Sequence, residues 1–262
     1  MFICLENYLK RGSKMRNKFI YSQLVLFFWS GVTLAADGFS ISTGLDYSSG
    51  GYGQSTKTKT TDIPVLLKYV GGPIVLKLNI PYIHTSGVVN QDTLASVSKV
   101  RRTEQGLGDI VASGFYSVIE GNGYGIDIGG KIKFATADKS KTLITTGEND
   151  YSLQTDGYKT FGKITALGTL GWTKKGDTST TNFRDPWYAS VGASYRLDDK
   201  NSFGAIYDYR QKVTSTGDIR SEVSAFMINK FDKNWKLQTY LVTGFSDASP
   251  DFGGGAMIAY TF

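Results

Sequence analysis

Residues 187–197 read Trp187-Tyr188-Ala189-Ser190-Val191-Gly192-Ala193-Ser194-Tyr195-Arg196-Leu197. Trp187, Ala189, Val191, Ala193, Tyr195 and Leu197 alternate with Tyr188, Ser190, Ser194 and Arg196, which is the period of a strand with one apolar and one polar face. The same period carries Phe39, Ile41, Leu45 and Tyr47, and again Tyr124, Ile126, Ile128, Ile132 and Phe134 against Asp127, Lys131 and Lys133. Extended along the chain, it predicts twelve strands, at 38–48, 60–70, 73–84, 108–119, 123–135, 150–161, 163–173, 186–197, 201–213, 219–231, 234–245 and 251–262. No stretch after Ala36 approaches the roughly 18 consecutive apolar residues of a spanning helix.

Composition agrees with an all-β chain. Gly at 31 of 262 residues, with 16 Tyr and 15 Phe, suits many strands and tight turns. With 40% apolar and 20% charged residues the chain is neither a disordered tail nor a helical-bundle membrane protein, and one Cys builds no disulfide scaffold. A single His excludes most zinc sites, and no residue pattern implies a metal or cofactor.

The first 36 residues read as a leader. Met15-Arg16-Asn17-Lys18 is a cationic start, Leu24-Val25-Leu26-Phe27-Phe28-Trp29 an apolar stretch, and Thr33-Leu34-Ala35-Ala36 a small-residue cleavage region. These are the parts of a secretory signal peptide, with Met15 as the expected start and 37–262 as the folded domain. Without Lys10, Arg11, Lys14, Arg16, Lys18 and Glu6, 24 basic and 22 acidic residues remain. That balance removes the electrostatic motive for a nucleic-acid partner.

Connections between the expected strands alternate in length. Gly71-Gly72, Glu120-Gly121-Asn122, Gly162, Asp198-Asp199-Lys200 and Asp232-Lys233 are short, and the longest of the others runs from Thr85 to Leu107. Short turns on one rim, longer loops on the other and an even strand number predict a transmembrane antiparallel β-barrel, with short periplasmic turns and longer extracellular loops, in the outer membrane of a Gram-negative bacterium. Pro64 and Pro81, inside two expected strands, argue against those two assignments. Twelve strands enclose more space than side chains readily fill, so the polar face is expected inward. Ile258, Tyr260 and Phe262 end the chain on one face and resemble the signal read by barrel-assembly machinery. Trp172 and Trp187 at one rim and Trp235 at the other fit aromatic girdles.

Parity then places Asp46, Asp62, Lys68, Lys77, Asp109, Asp127, Lys131, Lys133, Asp156, Arg196, Asp208, Arg210, Lys212, Arg220, Glu222, Lys230 and Lys236 on the inward face, seven acids and ten bases. Such a density is prohibitive against lipid. It serves equally a mutually neutralising ladder that plugs the barrel and a narrow aqueous path with a mild preference for anionic or polar small solutes. Phe115, Leu167, Phe226, Ile228 and Val242 share that parity and would make an apolar patch. By the same rule Ile128 and Val191 face lipid, while Gly129 and Ser190 face the lumen and should tolerate arginine.

Enzymatic readings find little. His84 with Ser86 two residues on is similar to the His-x-Ser of the outer-membrane phospholipase, but Ser98 stands where that family has Asn, and no catalytic set is complete. Gly106-Leu107-Gly108 and Gly253-Gly254-Gly255 lack the helix and lysine of a phosphate loop, so strand-end geometry accounts for them. Ten loop bases (Lys57, Lys59, Lys99, Arg101, Arg102, Lys139, Lys141, Lys174, Lys175 and Arg184) could meet lipopolysaccharide phosphates, or simply be solvated.

Pro81-Tyr82, Gly106-Leu107-Gly108-Asp109, Lys133 followed by Thr136-Ala137-Asp138, Thr146-Gly147 and Asp150-Tyr151 resemble the outer-membrane proteins of the phenol-degradation meta-pathway family. Ala135 stands where that family tends to have Pro. The resemblance implies a barrel and a transporter admitting aromatic or other hydrophobic compounds; a structural or surface-interaction barrel is the alternative.

Overall fold

The computed structural model describes residues 38–93 and 96–262, with side chains described outside 90–98. The leader, with its start and cleavage region, lies outside the described residues. The chain forms β1 (Gly38–Gly50), β2 (Thr58–Gly71), β3 (Ile74–Thr93), β4 (Ser96–Leu107), β5 (Ile110–Gly121), β6 (Tyr124–Phe134) and β7 (Asp150–Phe161). Then follow β8 (Ile164–Lys174), β9 (Trp187–Arg196), β10 (Asn201–Arg210), β11 (Arg220–Lys230), β12 (Trp235–Gly244) and β13 (Phe252–Thr261).

Each strand pairs antiparallel with its neighbours, and β1 lies between β2 and β13, so the sheet closes on itself. The seam is continuous to the last residue, where the Phe262 amide donates to the Phe39 carbonyl at 3.0 Å. β4 and β5 follow one another along the same edge of β3: Leu107 faces Tyr82 and Val111 faces Asn79. Three steps on β3 therefore oppose four on the other side, a one-residue bulge at Gly108 and Asp109. Counted around the wall, β4 and β5 are one interrupted strand, and the barrel has twelve.

Of the segment Thr85–Leu107, expected as the longest loop, the described residues are instead strand. The upper half of β3 and all of β4 pair from Tyr82–Leu107 out to Thr93–Ser96 as a hairpin that continues beyond the end of β2. The two prolines expected to disrupt their strands do not. Pro64 and Pro81 face one another within β2 and β3. Each lies where the ladder on its far side is already broken: the β1–β2 register skips Gly44 and Leu45, and β3 changes partner from β5 to β4 between Asn79 and Tyr82. The missing N–H groups thus fall where few bonds would be made.

The outer surface carries the apolar parity. Leu45, Leu67, Leu76, Ile128, Leu153, Leu170, Val191 and Leu241 are all exposed, Val191 by 63%. Apolar area on this scale, continuous around a closed sheet with a charged interior, is the arrangement of a membrane barrel. Trp187 faces outward at the rim of the longer loops and Trp235 at the opposite rim, where its ring lies 4.8 Å from Tyr260. Phe262 packs edge-on against Tyr260 at 5.0 Å.

Candidate functional site

The inward faces enclose a cavity of about 350 Å³. That is room for one small solute, at the low end of ligand-site volumes, and too little for a wide porin lumen. Asp46, Asp62, Lys77, Asp109, Asp127, Lys131, Lys133, Asp156, Asp208, Arg210, Arg220 and Glu222 all line it. Lys68, Lys230 and Lys236 sit half-buried below this lining, and Arg196 is exposed outside it at the periplasmic end of β9. Phe115, Phe226 and Val242 form an apolar part of the wall together with Leu66, Ile206 and Met257.

At the extracellular end the charges are paired. The bulge turns Asp109 into the barrel, where its side chain is fully buried. Its Oδ2 accepts from Lys133 Nζ at 3.1 Å and Thr145 Oγ1 at 2.7 Å, and its Oδ1 accepts from the Ala137 amide at 3.1 Å. Lys133 also approaches Asp150 at 3.4 Å, and Asp150 takes Lys175 at 2.5 Å. Across the mouth, Arg220 forms a two-pronged pair with Glu222, both contacts at 2.6 Å. Lys175, counted above among loop bases, therefore belongs to the lumen.

This network holds the segment 135–149 inside the mouth. Ala137 and Ile144 are buried against Ile83, an inward residue of β3. The Leu143 amide donates to Glu104 at 2.7 Å and Lys141 Nζ to the Gln105 carbonyl at 2.6 Å, so the segment also braces the β3–β4 hairpin. Thr145 Oγ1 accepts from the amide of Gly147, whose φ of 73° is the left-handed conformation glycine permits. Hydrogen bonds from the Ser140 hydroxyl and amide hold the Asp138 carboxyl below the usual carboxylate range and fix the turn that starts at Asp138.

Lower in the lumen, acids accept hydrogen bonds from neutral donors, with Asp156 also in the field of Lys77 and Lys131. Asp127 accepts from Ser117 at 2.6 Å, and Asp156 from Thr169 at 2.6 Å and Gln154 at 2.7 Å. Tyr188 donates to Gln154 at 2.8 Å, with Lys131 Nζ 5.0 Å from its ring centre. Lysines gather at the periplasmic end. Lys68 faces Lys77 across β2 and β3, and Lys230 faces Lys236 across β11 and β12. Lys68 lies in the field of both Lys77 and Lys236. No ion pair among the described residues includes Lys68, Lys230 or Lys236.

His84 is exposed on the outer face, with Nδ1 3.1 Å from Gln105 Oε1, while Arg101 donates to Ser86 Oγ at 2.8 Å. The two side chains thus have different partners. Gly129 also departs from expectation: a side chain there would begin 2.3 Å from the Phe115 ring and 2.4 Å from the Gly114 carbonyl, leaving no room for arginine. Gly253, Gly254 and Gly255 lie within β13 rather than at a strand end; Gly255 leaves space for the Tyr240 ring, whose Cε1 would stand 2.8 Å from an added Cβ.

A protein-family model described as "Putative MetA-pathway of phenol degradation" matches residues 52–262. The chain belongs to this family. Among solved structures, an outer membrane channel from Pseudomonas putida F1 superposes with a TM-score of 0.65 at 14% identity, over 86% of this chain and 96% of that one. The KdgM porin gives 0.55 at 12% identity, over 85% and 99% of the two chains. The translocator domain of autotransporter NalP from Neisseria meningitidis gives 0.54 at 13%, over 86% and 88%. At these identities the likeness is one of fold. No curated protein matches the chain in sequence.

The residues that carry the resemblance to the phenol-degradation family converge on the mouth. The Pro81 carbonyl accepts from Gly108 at 2.9 Å, the next residue is Asp109, and its partners or near neighbours are Lys133, Ala137, Thr146 and Asp150. Ala135, where the family tends to have Pro, donates its amide to Asn149 at 2.8 Å, a bond proline could not make. The family's short motifs are, in this chain, the parts that dock segment 135–149 in the barrel.

Proposed function

We propose that the protein is a passive outer-membrane channel for small solutes, its lower lumen favouring carboxylates that carry an apolar or aromatic body. The observation that carries this reading is the lysine band: Lys68 faces Lys77, Lys230 faces Lys236, Lys236 lies in the field of the first pair, and Lys77 Nζ is 5.4 Å from the ring centre of Phe115, which lines the cavity with Phe226. A surplus of one sign in a narrow, low-dielectric passage concentrates counter-ions. The neighbouring rings supply apolar surface for the rest of the solute. Transport of this kind needs no reacting group, metal or cofactor.

The band shifts the expected anion determinants. Lys133 and Arg220 are paired with acids and Arg196 is exposed at the periplasmic end of β9, so the half-buried Lys68, Lys230 and Lys236, which hold no ion pair among the described residues, are the better targets. Changing these three to Gln is expected to lower the chloride-to-potassium permeability ratio in a planar bilayer by several-fold, and to slow benzoate-driven swelling of proteoliposomes relative to arabinose. Unchanged selectivity and unchanged relative swelling in the triple variant would dismiss the lysine band as its source.

Ile258, Tyr260 and Phe262 are proposed as the assembly signal, supported by their outward row at the closing seam beside β1. Deletion of Phe262 should reduce the heat-modifiable, folded fraction in the outer membrane; wild-type yield of folded protein would refute that role. Lipopolysaccharide contact falls to fewer bases than expected. Lys57 and Lys174 hold ion pairs with Asp251 and Asp185, Lys141 is bound to Gln105, and Arg101 is bound to Ser86 and the Lys57 carbonyl.

A further inference from the structure

A second charged region of the lumen has the opposite sign and, among the described residues, no base paired with it. Asp46 on β1 faces Asp62 on β2, both inward, and Asp46 is 3% exposed. On its other side Asp46 faces Gly255 of β13, which in turn faces Tyr240 of β12. Neighbouring strands are about 4.8 Å apart, so the three side chains occupy adjoining positions along one inner row. The Tyr240 ring lies across Gly255 toward β1, its hydroxyl 3.0 Å from where a Cβ on Gly255 would stand.

Asp46 Oδ2, Asp62 Oδ1 and the Tyr240 hydroxyl are all buried, and none has a hydrogen-bond partner among the described residues. Tyr240 is only 8% exposed, yet it lines the cavity. No ion pair among the described residues includes either aspartate. Leaving such atoms unbonded is costly, and a carboxylate pair without a base is more so. The ligand class that answers this set brings positive charge and several donors together, and a primary ammonium group has three N–H bonds on one cation.

We infer that Asp46, Asp62 and Tyr240 form a subsite in the channel wall for the ammonium group of a small amine. It is separate from the lysine band, since Asp62 stands six residues, about 20 Å, along β2 from Lys68. The lumen therefore offers opposite charges at two depths. This site does not depend on conduction, because a barrel closed at one end could still bind an amine entering from the other.

The test is isothermal titration of the refolded full-length barrel, in nonionic detergent at constant ionic strength, with butylammonium chloride. Tetramethylammonium chloride, which has the charge but no N–H donor, is the comparison. Wild type should bind butylammonium saturably and tetramethylammonium about tenfold more weakly. Asp46→Asn and Asp62→Asn should each weaken butylammonium binding by about tenfold or more, and Tyr240→Phe by a few-fold. All three replacements nearly preserve side-chain shape, and heat-modifiable gel migration identifies variants that fold. Absence of saturable binding in wild type, as when the two carboxylates simply share a proton, would overturn the assignment. Equal binding of the two cations, or wild-type affinity in both folded Asn variants, would overturn it too.

Discussion

Val191→Arg is expected to prevent stable refolding of the barrel, while Ser190→Arg, one residue away, folds. Val191 is 63% exposed on the outer face near the middle of β9, and an arginine at the bilayer midplane of a barrel costs roughly 2 to 4 kcal/mol. Ser190 points into the cavity opposite Asp208 of β10, so its arginine would enter a polar lumen beside a carboxylate. Ile128→Arg should behave like Val191→Arg, since Ile128 is 50% exposed on β6. Urea titration of folding into lipid vesicles, read by tryptophan fluorescence, measures the difference. If Ser190→Arg proved the more damaging of the pair, the faces would have been assigned the wrong way round.

Asp109→Ala is expected to produce the second large effect, and it is the one that joins fold to function. The change leaves the Ala137 amide, the Thr145 hydroxyl and part of the Lys133 ammonium without their acceptor in a buried place. Removing one member of a buried ion pair typically costs about 3 to 5 kcal/mol. Part of that cost is escaped by undocking segment 135–149, which swings Ile144 away from Ile83 and clears the mouth. Trypsin should then cut after Lys139 or Lys141 in folded barrels that resist it as wild type. Equal resistance of the two proteins would mean that Asp109 does not hold the segment in place.

The wall of the barrel was legible because each strand crosses a slab of hydrocarbon, and that environment enforces a period of two on one face. Where the chain leaves the slab the signal disappears. Val88, Lys99, Val100, Arg101 and Arg102 lie on the β3–β4 hairpin beyond the last β2–β3 pair, outside the hydrocarbon slab, so no alternation marks them as strand. Parity also located the charged side chains, but it carried no information on which neutralises which. Asp109 depends on a bulge, and Lys175 lies one residue past β8, turned inward by Asp150. Tyr240 shares the inward parity of Lys236 and Val242, but parity does not bring it to the two aspartates. Its inward turn is made possible by Gly255 on the adjacent strand, a relation between positions far apart in sequence. The family motifs were visible as words before their meaning was, since only folding brings Asp109, Lys133, Ala137 and Asp150 to one mouth.

The proposed channel has a lumen that conducts and a mouth narrowed by the docked segment. Single-channel recording of the purified wild-type protein beside Asp109→Ala in planar bilayers tests both parts together. Wild type should show small discrete steps, and Asp109→Ala steps several-fold larger. Silent membranes with both proteins, each shown by heat-modifiable migration to be folded and inserted, would contradict the channel and leave a sealed, salt-bridged barrel in its place.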